Sequence, residues 1–437
     1  MKLFSPLRLL VGPLLLLLSG AGQAQMPAAP TPIFAGVPQE NVALAAPEFK
    51  LFDQKFYDNQ LFLLGESHGV ARPQELDFAL LKHLNQRAGV RTYVAEVDCA
   101  KAYYLNEYLR TGQDSTLRLV FRSWVAGTIQ WGNQEFFTKV QRIRALNQTL
   151  PAARRIRFIG LDEIQDLPLA ADYAQTLLGT RPVPAPLRAS LDSVLTLLRR
   201  ADVGTLAVVG QRAARLLAAQ AVRYRQALGS ATYDNLALLL GNIFRPAGFG
   251  REDMLVANFE VQYQTQQLAH EKLYGLWGLA HVLQSSIQGN FRSMAARLGQ
   301  GVPLRGKVVS VLCVFSGCQM LYPTAGLPTP WQMAGQPYSV TDKFNHDGPL
   351  SVLTGLSELK QRTAPGSTTL FRLNAPEAAT TRQPIEVRYA PGVPAGQQIQ
   401  FSAALPAAAY VQYLVLVRDS GPVQALTPPA AGQTAGK

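Results

Sequence analysis

Cysteines, long apolar runs and clustered charges are all scarce in this 437-residue sequence. Its three cysteines, Cys99, Cys313 and Cys318, are an odd number, which excludes a monomer with every thiol in a disulfide. The short spacing of Cys313 and Cys318 leaves a disulfide between them and two buried thiols equally open. Beyond residue 18 no stretch reaches the roughly 20 uninterrupted apolar residues that a membrane span requires, so stable membrane insertion is not expected.

A dense basic surface is also missing, although the formal net charge is +12. The arginines are scattered in pairs such as Arg154-Arg155 and Arg199-Arg200, and no nucleic-acid-binding motif accompanies them. The sequence contains no internal repeat and no glycine-rich loop for a nucleotide phosphate. We therefore expect no nucleic acid as a partner and a small molecule as substrate, while the oligomeric state is not indicated.

The N-terminus has the three parts of a secretory signal peptide. Lys2 and Arg8 precede the apolar run Leu9–Leu18, and small residues follow up to Ala24, after which cleavage is expected. We therefore expect an exported protein, periplasmic or secreted. A Pro/Ala-rich leader is predicted at residues 25–40, and a disordered tail at residues 422–437.

Short apolar runs alternate with long helical patterns along the rest of the chain. The runs have the length of strands and are found at 61–64, 92–95, 156–161, 273–279, 308–315, 369–373 and 413–417. This alternation predicts an α/β core with a mostly parallel central sheet flanked by helices, built from residues 41–167 and 268–421. The Leu-, Ala- and Arg-rich segment 168–267 is helical in pattern throughout, and we predict that it is a cap that sets substrate size.

Polar residues follow four of these predicted strands. The first runs into Gly65-Glu66-Ser67-His68, and the next three end near Glu96, Asp162 and His281. Because the carboxyl ends of parallel strands meet along one edge of a sheet, these residues are expected to converge where α/β proteins bind ligands. Solvated loops are the alternative, but two of only five histidines fall at these ends, which favours one shared site.

A histidine beside carboxylates indicates activation of water. We expect His68 to act as a general base, with Glu66 and Glu96 orienting it or balancing its charge. His281 is expected to serve as an acid or to stabilise an oxyanion. A metal ion held by the two histidines and a carboxylate is an alternative. A Ser67 nucleophile is disfavoured, because GESHG lacks the G-x-S-x-G elbow.

Six short motifs resemble the erythromycin esterase family, in that family's order, between about Leu61 and Val417. LLGESHG resembles its opening Gly-Glu…His-Gly loop, YVAEVD its second-strand glutamate, and IRALN followed by FIGLD its Arg…Asn helix end and Gly-x-Asp strand. REDMLVAN resembles its Arg…Asn helix, LWGLAHV its tryptophan-to-histidine strand, and YLVLVRDSGP its last strand. The resemblance assigns catalysis to Glu66, His68, Glu96 and His281, and substrate binding to Asp162, Arg251 and Asn258.

The resemblance implies an exported hydrolase that cleaves an ester or lactone, with amide bonds as a further class. The wider group around this family includes TIKI/TraB-type peptidases and ChaN-like haem-binding proteins. A metal-dependent peptidase and a haem or small-molecule carrier without turnover are therefore the alternatives. No cofactor is required by the hydrolase, whereas the alternatives require a divalent metal or haem. One residue separates Glu66 from His68 where macrolide esterases have two, so the resemblance implies the fold and the site rather than a macrolide substrate.

Overall fold

The fold is described by a computed structural model that covers residues 32–244, 248–287 and 291–427. The signal peptide predicted at residues 1–24 lies outside these ranges, so export stays a prediction. The strands are β1 Gln39–Asn41, β2 Leu61–Glu66, β3 Thr92–Ala95, β4 Arg157–Gly160, β5 Leu273–Gly278, β6 Val308–Ser316, β7 Met320–Pro323, β8 Tyr338–Thr341, β9 Phe344–Asn345, β10 Gly348–Pro349, β11 Ser351–Leu353, β12 Thr368–Arg372, β13 Val387–Tyr389 and β14 Tyr413–Arg418. The helices are α1 Gln54–Tyr57, α2 Arg72–Ala88, α3 Cys99–Thr111, α4 Asp114–Ala126, α5 Gln134–Thr149, α6 Leu167–Leu178, α7 Ala185–Arg200, α8 Val203–Ala219, α9 Ala221–Leu228, α10 Ser230–Ile243, α11 Arg251–Thr265, α12 Met294–Gln300 and α13 Leu356–Gln361.

Eight of the strands form one sheet, in the order β1-β12-β14-β6-β2-β5-β3-β4. From β14 to β4 all neighbours are parallel, whereas β12 and β1, at one edge, pair antiparallel. The pairs β7–β8, β9–β10 and β11–β13 are short antiparallel ribbons outside this sheet. The predicted α/β fold with a mostly parallel central sheet is therefore confirmed, and each of the seven predicted runs is a strand.

The sheet is buried on both faces, which explains why its strands are continuous apolar runs. Along β2, Phe62 and Leu64 face one core together with α2, α3 and α5. Leu61 and Leu63 point to the opposite face, where they pack with α11 and α12. β2 is thus the centre of the fold, and its last residue, Glu66, lies at the carboxyl edge of the sheet.

Local sequence signals place the helices that follow the central strands. α2 has Pro73 in its first turn and ends at Gly89, whose φ of 73° is the left-handed conformation that glycine favours. α3 begins after Asp98, whose carboxylate accepts hydrogen bonds from the backbone N–H groups of Ala100 and Lys101. Because these helices start soon after their strands, the loops after β2 and β3 stay short and lie at the same edge of the sheet.

The segment predicted to be a cap is helical and forms α6 to α11. α6–α10 pack on one another and on the start of α3 through an apolar core that includes Leu187, Leu198 and Tyr224. α11 instead packs against the central sheet, through Leu255 and Phe259. The segment therefore has two parts, and only α11 belongs to the core that flanks the sheet.

The inner ends of the predicted leader and tail are packed into the fold. Phe34 and Val37, within the predicted leader, are 1% and 2% exposed, and β1 begins at Gln39. Val423 and Leu426, within the predicted disordered tail, are also buried. The few large apolar side chains in these Pro- and Ala-rich segments explain the difference, because each one is buried in the protein interior.

All three cysteines are buried and free, so the two thiols at 313 and 318 are not joined. Burial raises the pKa of the Cys99 and Cys313 thiols well above the ordinary value, which keeps them protonated and poorly nucleophilic. None of the described helices is both long and apolar enough to cross a membrane.

Candidate active site

A cavity of about 520 Å³ opens at the carboxyl ends of the central strands. Its polar end is lined by Glu66, Ser67, His68, Glu96, Gln130, Arg251, Gly278 and His281. These residues come from the last positions of β2 and β5, the segments that follow β2, β3 and β5, the start of α11 and the loop before α5. The cavity thus brings together all four residues to which the sequence assigns catalysis, and the roles of the four stay predictions.

His68 is paired with Glu66 on the loop that leaves β2. His68 Nδ1 lies 3.2 Å from Glu66 Oε1, an oxygen that also accepts a hydrogen bond from Gln74 Nε2 at 3.1 Å. Because this oxygen is an acceptor, Nδ1 carries the proton and Nε2 keeps its lone pair. Burial lowers the pKa of His68, but the hydrogen bond to Glu66 and the charge of Glu96 outweigh it, so the pKa is raised above its ordinary value.

A chain of buried, hydrogen-bonded polar side chains holds the Glu66 carboxylate in place. Gln74 on α2 accepts a hydrogen bond from Lys139 Nζ at 2.7 Å, and Lys139 pairs with Asp77 Oδ2 at 2.5 Å. Tyr93 and Tyr274 donate their hydroxyl groups to Asp77, each at 2.7 Å. All five side chains are buried. Because the two ends of the Gln74 amide have different partners, its orientation is fixed, and with it the orientation of the carboxylate.

The loop that carries His68 is held by segments distant in sequence. Gly69 O accepts hydrogen bonds from Leu321 N at 3.0 Å and from Val423 N at 2.9 Å. The imidazole ring lies against Trp131, with 4.1 Å between the ring centroids. Gln130 Nε2 donates to the His68 carbonyl oxygen at 3.3 Å. The position of the imidazole therefore depends on the C-terminal end of the described chain as well as on β2.

Arg251, the first residue of α11, is held by two carboxylates. Its Nε and Nη2 donate to Asp162 at 3.0 and 2.7 Å, and Nη2 also donates to Glu96 Oε1 at 2.8 Å. The carboxylate side chains are only 2% and 5% exposed, whereas that of Arg251 is 40% exposed. Burial lowers the pKa of Arg251, but Asp162 and Glu96 raise it above its ordinary value, so the cavity contains a permanent positive charge.

His281 lies in the turn Leu279–Val282 after β5, and both of its ring nitrogens face protein groups. Arg251 Nη1 lies 3.0 Å from Nε2. Nδ1 lies 2.6 Å from Glu252 Oε1, although out of line for a hydrogen bond. Because a guanidinium group only donates, Nε2 of His281 accepts and Nδ1 carries the proton. The His281 ring therefore helps to hold Arg251 in position, and its proton is not directed into the cavity.

Gly278, at the end of β5, separates the two histidine rings. A Cβ atom at this position would lie 3.2 Å from His68 Nε2 and 3.4 Å from His281 Cδ2. The distance between these two ring atoms is thus smaller than the sum of the two distances. One small ligand could contact both rings, because such a ligand reaches across roughly 12 Å. The Gly278 N–H donates to Glu96 Oε2 at 2.7 Å, which fixes the backbone here. The missing side chain leaves open space in front of His68 Nε2.

The sequence assigns Asp162 and Asn258 to substrate binding, but neither lines the cavity. The Asp162 carboxylate lies behind Arg251, and both of its oxygens accept hydrogen bonds from the guanidinium group. The amide nitrogen of Asn258 donates to the Leu161 carbonyl oxygen at 2.7 Å and to Asn242 at 2.8 Å, so this side chain joins α11 to β4 and α10. Of α11, only the first turn reaches the cavity, so the substrate-binding roles of Asp162 and Asn258 gain no support from the lining and stay predictions.

Five polar residues in or behind the site were not identified from the sequence: Gln74, Gln130, Lys139, Glu252 and His346. Glu252 directly follows Arg251 in the motif REDM, and this position next to Arg251 is the only feature of the sequence that indicates a place in the site. Gln74 and Lys139 lie on helices, where a buried polar residue and an exposed one look alike in a sequence.

The rest of the cavity wall is mostly apolar and comes largely from β6 to β14. Its larger side chains are Met320, Tyr322, Phe344, Tyr389, Phe401 and Tyr410. Among the described residues of the predicted cap, Arg251 alone lines the cavity. The lining gives no support to the prediction that this helical segment sets substrate size, which stays a prediction, and short strands and loops between β6 and β14 form most of the described wall.

A metal ion held by both histidines does not fit this donor set. Nδ1 of His68 is bonded to Glu66, and Nε2 of His281 faces the Arg251 guanidinium, whose positive charge would repel a cation. The described ranges contain no group of three or more His, Cys, Asp or Glu side chains placed to hold a metal ion.

Comparison with known families agrees with the resemblance carried by the motifs. The family model for erythromycin esterase matches residues 86–247, which run from the end of α2 to just beyond α10. The matched segment contains Glu96 and Asp162 but not the two histidines of the site. No curated protein matches the chain. The predicted resemblance to the erythromycin esterase family is confirmed by this match.

Three solved structures share the fold at low sequence identity. An EreC erythromycin esterase, with one histidine changed to asparagine and in its open conformation, is 12% identical with a TM-score of 0.63, over 90% of this chain and 100% of its own. A Bacillus cereus protein is 13% identical with a TM-score of 0.61, over 86% of this chain and 92% of its own. A succinoglycan biosynthesis protein is 16% identical with a TM-score of 0.59, over 91% of this chain and 97% of its own. At these identities the likeness shows the fold.

Proposed function

Because this chain is similar to the erythromycin esterase family in sequence and in fold, we propose that it is a hydrolase that cleaves an ester or a lactone with water. The observation that carries the proposal is the pairing of His68 with Glu66, which leaves Nε2 facing the open space at Gly278. An imidazole held by a carboxylate through Nδ1 has the tautomer and the orientation that a general base needs.

In the proposed reaction, a water molecule in this space transfers a proton to His68 Nε2 while its oxygen attacks the carbonyl carbon of the substrate. The negative charge that develops on the carbonyl oxygen is stabilised by Arg251. The tetrahedral intermediate collapses, the bond to the leaving oxygen breaks, and His68 returns the proton to that oxygen. The products are a carboxylic acid and an alcohol, which remain in one molecule if the substrate is a lactone.

We assign His281 to the positioning of Arg251 instead of to acid catalysis. Its Nε2 accepts from the guanidinium, and its Nδ1 faces Glu252. Together with Asp162 and Glu96, the ring restrains the guanidinium on several sides. A positive charge held in this way is preorganised for the developing oxyanion, so little reorganisation is needed during the reaction.

The composition of the cavity supports an uncharged substrate with an apolar body. The charged groups are confined to the end that contains His68 and Arg251, while the wall from the chain between β6 and β14 is mostly aromatic and aliphatic, with His346, Ser351 and Gln397 as polar members. Ligand sites with this division bind an apolar group by burial and orient it through a few polar contacts.

The proposal is tested by offering the purified chain para-nitrophenyl esters, lactones and peptides, each with and without a chelator. We expect ester or lactone hydrolysis that the chelator does not change and that His68→Gln lowers by about 10²–10⁴-fold. His270→Gln is the matched control, because His270 is exposed and lies outside the cavity. Peptide cleavage that a chelator abolishes would point to a metallopeptidase, and a Soret band on addition of haem without any turnover would point to a carrier.

A further inference from the structure

A third histidine, His346, lines the same cavity and has no part in the proposed reaction. It lies between β9 and β10 and contacts the end of β6. β6 is the neighbour of β2 on the side opposite β5. The His68 loop therefore lies between His346 on one side and Gly278 and His281 on the other.

The hydrogen bonds of His346 define its tautomer. Phe315 N donates to His346 Nδ1 at 3.0 Å, and His346 N donates to Phe315 O at 2.9 Å. Because the lone pair of Nδ1 is occupied, the neutral ring carries its proton on Nε2. Burial lowers the pKa of His346 to about 4, so the ring is neutral at neutral pH.

The Nε2–H group of His346 has no acceptor among the described residues. This nitrogen is nevertheless accessible from the cavity, because it is not one of the fully buried polar atoms without a partner and His346 lines the cavity. The same wall contains aromatic and aliphatic side chains such as Tyr322, Phe344 and Val314, and the polar side chains of Ser351 and Gln397. A fixed donor in a mostly apolar wall is a typical orienting contact for a ligand.

We propose that His346 is a specificity-determining residue, whose Nε2–H donates a hydrogen bond to an uncharged oxygen of the substrate that is not part of the bond that reacts. The proposal rests on the proposed hydrolase function and names the class of substrate: an apolar ester or lactone that carries a hydroxyl, ether or keto oxygen away from the scissile carbonyl. An anionic group does not suit this position, because a neutral donor in an apolar wall does not replace the hydration of a charge.

Two variants separate the ligand contact from the structural contact of the same ring. Asparagine places its amide oxygen near the position of Nδ1, so His346→Asn keeps an acceptor for Phe315 N and removes the donor in the cavity. Glutamine places its amide nitrogen near the position of Nε2, so His346→Gln keeps a donor in the cavity and removes the acceptor for Phe315 N.

The probes are para-nitrophenyl alkanoates and their analogues in which an ether oxygen replaces one methylene at successive positions along the acyl chain. Matched methyl ketones, which bind without being hydrolysed, provide equilibrium dissociation constants. We expect the wild-type protein to prefer one ether position over the parent alkanoate by several-fold, about tenfold at most, in kcat/KM and in binding. This preference should vanish in His346→Asn and persist in His346→Gln, with the change in KM rather than in kcat.

Each outcome bears on one of the two proposals. Ether-selective ketone binding that depends on His346, without hydrolysis of any ester, would support the role of His346 and overturn the hydrolase. Hydrolysis with the same ether preference in the wild-type protein and in His346→Asn would overturn the role of His346 and leave the hydrolase standing. A loss of the preference in His346→Gln but not in His346→Asn would mean that the ring acts only through Phe315, which also overturns the proposal.

Discussion

Glu66→Gln tests the centre of the proposed mechanism, because it removes the charge that orients His68 and leaves the shape of the side chain almost unchanged. Oε1 of Glu66 accepts from both His68 and Gln74, while Oε2 has no hydrogen-bond partner among the described residues. An amide can still bond one of these neighbours, but it no longer stabilises an imidazolium ion on His68. We expect kcat/KM for ester hydrolysis to fall by about 10²–10⁴-fold.

The pH dependence gives a second, independent readout of the same variant. A hydrogen bond to a charged group contributes about 1.5–3 kcal/mol, and one pKa unit corresponds to about 1.4 kcal/mol. The loss of the carboxylate should therefore lower the pKa of His68. Solvent screens part of the interaction, because the His68 side chain is 26% exposed.

The sign of the shift follows from which form of His68 is active. In the wild-type protein the pKa of His68 is raised, so a rate that needs the neutral base increases with pH through a value above the ordinary one. Without the carboxylate the imidazolium is less stable, and this rising limb moves to lower pH. The assay is kcat/KM against pH for the wild-type protein and for Glu66→Gln, with chromatographic detection of the acid product.

Stability and a matched variant separate chemistry from damage to the fold. Because an amide is less costly to bury than a carboxylate with an unpartnered oxygen, the free energy of unfolding of Glu66→Gln should be unchanged or higher. Glu107→Gln, a change on the outer part of α3 outside the cavity, should leave kcat/KM and its pH profile as they are. Wild-type activity in Glu66→Gln, or a limb that moves to higher pH, would refute the assignment of His68 as a base held by Glu66.

Three further variants test the surroundings of this pair. Gly278→Ala should lower kcat/KM by about 10–100-fold with a nearly unchanged free energy of unfolding, because its Cβ would fill the space between the histidine rings; unchanged kinetics would place the reacting water elsewhere. Lys139→Met should lower the free energy of unfolding by about 3–5 kcal/mol in urea titrations, because it leaves Asp77 buried without its counter-charge. Adding Asp77→Asn should recover part of that loss, and no recovery would contradict the ion pair as the cause. Asn258→Ala should lower the free energy of unfolding by about 1–3 kcal/mol through its lost hydrogen bonds, while KM stays constant. A raised KM would indicate that Asn258 contacts the substrate.

The framework of the site could be predicted because it follows from strand ends. A buried parallel strand has to be an apolar run, so β2, β3 and β5 are visible in the sequence and the polar residue after each one is visible too. The sheet then brings Glu66, Glu96 and the histidines to one edge whatever the order of the strands. That inference needs neither the strand order nor the loop geometry, and neither of these could be read from the sequence.

The direction in which a side chain points could not be predicted in the same way. Asp162 and Glu96 both follow strands, yet one lies behind Arg251 and the other reaches the cavity. The difference is set by α11, which approaches the sheet from a distant part of the sequence. The apolar wall was missed for another reason: β7–β11 and β13 are two to four residues long, too short for a periodic pattern to stand out from loops.

The anchoring of the His68 loop has a consequence for the order in which the parts of the site form during folding. Arg72 N donates a hydrogen bond to Ser420 Oγ across 348 positions of sequence, and Gly69 O accepts from Val423 N in the same region. Contacts between such distant segments form late in folding, because the intervening chain must first be ordered. The strand ends that carry Glu66, Glu96 and His281 precede these anchors by more than 130 residues of sequence, whereas β14, which completes the sheet, ends only two residues before Ser420. The imidazole should therefore be fixed in place only after the segment that contains Ser420 and Val423 has folded onto the rest of the protein.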